Sequence, residues 1–65
     1  MKEIDEIVDR MRVKGFYFYI KPYKDYTIVL YEIGFMNNNL EVVDYITSDE
    51  LYLDDIHLLV DKILN

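Results

Sequence analysis

The chain has 65 residues, a net charge of −6 and no cysteine, which bounds it to one domain and excludes disulfides and thiolate metal sites. A domain this small buries only about 60% of the surface its unfolded chain exposes, so stability is thin and self-association or partner binding is expected. The apolar fraction of 52% is ample for a core, yet no stretch approaches the ~20 apolar residues of a membrane span.

The opening, Met1 to Glu6, is acidic and amphipathic and does not read as a secretory signal, so a cytoplasmic protein is expected. Charge is uneven along the chain. Residues 1–24 carry six basic and four acidic side chains, whereas residues 25–65 carry only Lys62 against nine acids. The second part should form a negative region that repels nucleic-acid backbones and attracts basic surfaces. The same charge also serves solubility.

Residues 2–13 read as a helix. Ile4, Ile7, Val8 and Met11 form one apolar stripe, acids lie in the first turn, Glu6 and Arg10 are an i,i+4 pair, and Gly15 is placed to cap the end. Aromatic and β-branched residues 16–21 predict a strand ended by Pro22. Residues 26–36 predict a second strand, with Gly34 a candidate bulge, and Asn37-Asn38 a two-residue turn. Residues 39–46 predict a third strand. Thr47 and Glu50 have capping-box spacing before a second helix over about 49–64, with Tyr52, Leu53, Ile56, Leu59, Val60 and Ile63 on its apolar face.

The expected fold is α+β: a helix, a three-stranded antiparallel meander and a helix, with both helices on one sheet face. With Pro22 to Asp25 as a four-residue loop, Phe18 opposes Val29 and Ile20 opposes Thr27; the Asn turn sets Ile33 against Val42 and Phe35 against Leu40. One side then carries Phe16, Phe18, Ile20, Val29, Tyr31, Ile33, Phe35, Leu40, Val42 and Ile46. The other carries Tyr17, Tyr19, Ile28, Leu30, Glu32, Glu41, Val43 and Tyr45. If both helices cover the first side, the second is bare, and an exposed face of tyrosine and aliphatic residues marks an interface. The alternative places one helix on each face and leaves no patch.

Leu51 and Leu58, seven apart on the second helix, lie away from the core centre and are further candidates for contact with a second chain or with the first helix. Glu50, Asp54, His57 and Asp61 line up along the same helix. They read as a solvated acidic face, because a metal site needs more than one helix and a second shell of support. No cofactor and no catalytic residue is expected: there is no phosphate loop, zinc motif or dinucleotide fingerprint, and the adjacent Asp54 and Asp55 diverge by ~100° on a helix. Phe16-Tyr17-Phe18-Tyr19 has the composition of a base-stacking strand, and Arg10, Arg12, Lys14, Lys21 and Lys24 offer a local basic patch. The overall charge argues against direct nucleic-acid binding.

From Ile4 to Leu64 the element order and acidic character resemble small phage-encoded inhibitors, the anti-CRISPR proteins that occupy the DNA-binding surface of a Cas nuclease. Here the carboxylates come singly or in pairs, as at Asp49-Glu50 and Asp54-Asp55. The resemblance implies an inhibitor that occludes a basic surface of a nucleic-acid enzyme, with Glu41, Asp44, Asp49, Glu50, Asp54, Asp55 and Asp61 supplying the complementary charge. A homo-oligomeric structural or regulatory module, joined through Tyr17, Tyr19 and Tyr45 or through Leu51 and Leu58, is the alternative.

Overall fold

The computed structural model describes residues 2–24 and 29–65. Its elements are α1 (Lys2–Val13), β1 (Tyr17–Lys24), β2 (Val29–Met36), β3 (Val42–Ser48) and α2 (Leu53–Leu64). The strands form one antiparallel sheet in the order β1-β2-β3. This is the expected helix–meander–helix architecture, and both helices pack on one side of the sheet.

The stripe read from the sequence decides how α1 sits. Ile4, Ile7 and Met11 are buried, while Glu3, Asp5 and Asp9 face outward. The helix ends in a Schellman motif. Phe16 N–H donates to the Met11 carbonyl (2.9 Å), Gly15 N–H donates to Arg12 O (3.0 Å), and Gly15 takes φ +90°. Glycine is required there because a Cβ disfavours the left-handed region. The motif also turns Phe16 onto the core at the entrance to β1. On the exposed side of α1, Arg12 pairs with Asp9 (3.1 Å); the expected pair between Glu6 and Arg10 is not formed.

Strand β1 does not end at Pro22. It runs on to Lys24, with Pro22 paired to Tyr31. An edge strand needs only half of its N–H groups for the ladder, so a missing one is tolerated there.

The strand registers differ from expectation by even numbers of residues. Phe18 opposes Phe35 rather than Val29, a displacement of six, and Ile33 opposes Ile46 rather than Val42, a displacement of four. Because side chains alternate with a period of two, even displacements leave the residues on their expected faces everywhere except at the β3 bulge. The aromatic pair of Phe18 and Phe35 results, with ring centroids 5.4 Å apart and tilted by 56°.

The β2–β3 connection is longer than a two-residue turn. Asn37 organises it: its side-chain Oδ1 accepts from the backbone N–H of Asn39 (2.9 Å) and of Glu41 (3.1 Å). Its backbone N–H donates to Glu41 O (2.9 Å), and Leu40 takes φ 62°. The bulge lies one residue beyond Gly34, between Phe35 and Met36, and leaves Val43 as the extra residue on β3. This corrects two core assignments. Leu40 is in the turn and 75% exposed, and Val42, now opposite Met36, is turned to the outer face.

Helix α2 begins at Leu53, later than expected. Its N-cap, Tyr52, makes no side-chain capping bond, and Thr47 belongs to β3, so the capping box does not form. Ser48 Oγ accepts instead from Glu50 N–H (3.4 Å). The late start follows from Leu51, which packs against the core from the connecting segment, while Tyr52 is turned to solvent. At the other end, Asn65 donates to Asp61 O through both its backbone and its side chain.

Ile7 and Met11 of α1, Ile33 and Phe35 of β2, and Ile56 and Leu59 of α2 form the buried cluster. Each such side chain contributes roughly 1.5–3 kcal/mol on burial. The sheet residues packed around the cluster are Phe16, Phe18, Tyr31 and Ile46, all from one face. Ile20, at the end of that row, is 46% exposed because the helices do not reach it.

Candidate functional site

With both helices engaged on one side, the other side of the sheet is left without cover among the described residues. Register places three rows on it: Tyr17, Met36 and Val42; Tyr19, Gly34 and Tyr45; Lys21, Glu32 and Thr47. Leu30, half-buried, continues the face. The side chains of Ile28 and Val29 lie outside the described residues. Met36, Val42, Lys21 and Thr47 were missed as members of this face. Lys21, Met36 and Thr47 follow from strand alternation with Tyr19, Gly34 and Tyr45, whereas Val42 required the bulge, which local sequence signals do not carry.

The middle row is built around a glycine. A Cβ at Gly34 would lie 2.6 Å from Asp44 O and 2.9 Å from the Tyr19 ring. The missing side chain is therefore what lets the Tyr19 ring lie flat across the strand. Its hydroxyl then donates to Glu32 Oε2 at 2.6 Å, a short charge-assisted bond. Burial, followed by the bond to and charge of Glu32, with Tyr45 adding to them, raises the Tyr19 phenol well above its ordinary value. Tyr19 is thus a fixed floor rather than a mobile contact residue. Tyr17 (39% exposed) and Tyr45 (51%) stand open beside it, joined by Val42 and Val43.

The acidic candidates separate into three places. Glu41 lies in the turn just before β3 and Asp44 within the strand; Asp44 Oδ2 is 3.7 Å from Lys62 Nζ, and Glu41 Oε1 is 3.5 Å from Asn37 Nδ2. Asp49, Glu50, Asp54 and Asp55 gather around the N-terminal end of α2. Their field shows on Tyr52, whose phenol is raised first by the charge of Asp49 and then by that of Glu50. Acids at that end also suit the helix dipole. Asp61 stands apart, on a cleft of about 280 Å³ between the helices that it shares with His57, Arg10 and Lys14 over Ile7, Met11, Val60 and Leu64. The expected line of Glu50, Asp54, His57 and Asp61 is broken, since Glu50 precedes the helix.

Among the apolar candidates Leu58 is 62% exposed, whereas Leu51 packs on the core and is withdrawn from any seam with Leu58. Phe16 and Phe18 also pack on the core, so the aromatic strand offers only its tyrosines outward. Among the described residues no three His, Cys, Asp or Glu side chains are grouped to hold a metal ion, and no helix is long and apolar enough to cross a membrane.

Fold and face together define a two-layer α+β domain with one open aromatic sheet surface and an acidic end. No family model, curated protein or solved structure matches the chain.

Proposed function

We propose that this chain is a non-catalytic protein-binding module whose contact surface is the open sheet face. The observation that carries the reading is that Tyr17, Val42, Val43 and Tyr45 are exposed together on a side of the sheet that neither helix covers. Tyrosine suits such a role, offering a broad apolar body and a polar tip at small entropic cost. The acids around the N-terminal end of α2, with Glu41 just before β3, direct the module to a basic surface. Charges of this kind raise association rates and reject acidic partners. Among such targets we favour a nucleic-acid enzyme in the cytoplasm, blocked by occlusion without chemical turnover, with the chain acting as a phage or mobile-element inhibitor.

The test is capture on the immobilised chain beside its Tyr17→Ser/Tyr45→Ser double variant. A nucleic-acid-handling protein should be retained at low salt, released at high salt and lost by the variant, whose unfolding midpoint should stay close to that of the parent. Recovery of no such protein at low salt removes the inhibitor reading. The second reading, a self-associating module, is supported by the same apolar face. It requires a dimer or higher species in sedimentation at micromolar concentration, and a strict monomer excludes it.

A further inference from the structure

We propose that the free edge of β3 is a strand-addition site for an extended partner segment that alternates apolar and basic residues. This rests on the protein-binding reading above and specifies how the partner attaches. The two edges of the sheet are not equivalent. Strand β1 carries Lys21 and Pro22, and proline offers no N–H, so that edge is guarded against pairing. Strand β3, Val-Val-Asp-Tyr-Ile-Thr-Ser, has neither proline nor a basic residue. Its bulge at Val43 disturbs only the start, and pairing with β2 is regular from Asp44 to Ser48.

One hydrogen bond fixes which backbone groups face outward. Tyr45 N–H donates to Asp44 Oδ1 at 2.8 Å, and the carbonyl of the same trans peptide, Asp44 O, lies on the β2 side, 2.6 Å from the Cβ position of Gly34, so the N–H faces the opposite way. It therefore points away from the sheet. Backbone groups alternate direction along a strand, so the N–H and C=O of Thr47 point outward as well. The Asp44 carboxylate occupies the first of these donors, while its other oxygen faces Lys62. An incoming strand would displace the carboxylate from Tyr45 N–H and take that donor and the Thr47 groups.

Side chains flanking the edge choose the occupant. On the outer face an added strand would lie beside Val43, Tyr45 and Thr47, where apolar residues extend the open surface. On the helix-facing side it would lie beside Asp44, Ile46 and Ser48, with the exposed acids Glu41 before the strand and Asp49 and Glu50 after it. Lys62 is the one cation paired with this group among the described residues. Basic residues in the alternate positions meet that charge. A second copy of the chain would instead bring Glu41 of one edge toward Asp49 and Glu50 of the other in an antiparallel pairing, which like charge opposes.

The experiment uses the full chain with a blocked eight-residue peptide alternating lysine and valine, at low salt, followed by residue-resolved amide exchange. A glutamate–valine peptide is the control. The expected result is about a tenfold or greater slowing of exchange at Tyr45 and Thr47 with the lysine peptide only, as pairing closes those groups to solvent. Thr47→Pro removes an outward donor without touching the β2 ladder and should weaken peptide binding while the remaining amide spectrum is retained. If that variant fails to fold, the exchange measurement on the parent chain still decides. Perturbed Tyr17 and Tyr45 side chains with unchanged β3 exchange would keep the contact face and overturn the edge. Equal binding of the glutamate peptide would overturn the chemistry assigned to the occupant. Protection that grows with protein concentration alone, alongside a sedimenting dimer, would give the edge to a second copy and overturn the proposal. No response to any peptide would overturn it too.

Discussion

At the scale of single residues, Gly34 and Tyr19 act as one unit. The glycine leaves the space, the ring fills it, and Glu32 anchors the hydroxyl. Gly34→Ala would place a methyl group 2.6 Å from a backbone oxygen of β3, which cannot yield as a flexible side chain can. Overpacking of this kind costs roughly 1–3 kcal/mol, which chemical denaturation should show as a lowered midpoint with an unchanged slope. Tyr19 also sets the alkaline behaviour. Its proton is held more tightly in the folded chain than in the unfolded one, where it leaves near the ordinary value of 10.0. Its contribution is therefore complete below that pH and is lost progressively as pH rises toward the higher folded value. Tyr19→Phe should flatten the fall in stability above about pH 10, read from denaturation midpoints along an alkaline series. A parallel fall in the variant and the parent would reject this.

At the scale of elements, the two helix starts and the long turn separate local signals from tertiary ones. Helix α1 matches the range read from its stripe, and the glycine cap lies where it was placed. Helix α2 starts at Leu53 because Leu51 finds the core before the helix begins, which overrides the spacing of Thr47 and Glu50. In the β2–β3 turn the backbone bends at Leu40, an L-residue in a left-handed conformation with its side chain in solvent. Such a conformation costs roughly 1–2 kcal/mol for most residues and less for asparagine. Leu40→Asn should therefore raise stability by about 1 kcal/mol, a gain of roughly 4–8 °C in melting temperature for a domain of this size. No change in melting temperature would mean that the turn carries no strain there. The candidate face suffered from the same gap in local information: its tyrosines were legible from alternation, while Val42 was assigned to the core because a single bulged residue reverses everything before it.

For the whole molecule, the margin is set by a small core. Seven hydrophobic side chains are buried among the described residues, and Phe35 is the largest of the five that are fully buried. A domain of 65 residues is expected to hold roughly 0.05–0.15 kcal/mol per residue in net stability. Phe35→Ala removes about 3–5 kcal/mol, which should leave a substantial unfolded fraction at 25 °C, visible as lost near-ultraviolet circular dichroism. Full retention of that signal would mean the open face contributes more to stability than its exposure indicates. The thin core also explains why an uncovered face matters, since contact with a partner adds stability in proportion to how far its concentration exceeds the dissociation constant.

Element order, the apolar stripe of α1, the division of the strands into two faces and the acidic bias of the second part were determined by the sequence alone. Each depends on periodicity or composition, which are local and survive a shift of register by an even number of residues. Tertiary structure alone decided that both helices share one face, that β1 continues through Pro22, that Leu51 belongs to the core, and that Val42 faces outward. Those outcomes depend on which distant surfaces meet and on where one extra residue is accommodated. Such choices are made by packing across the whole chain, and no window of neighbouring residues contains them.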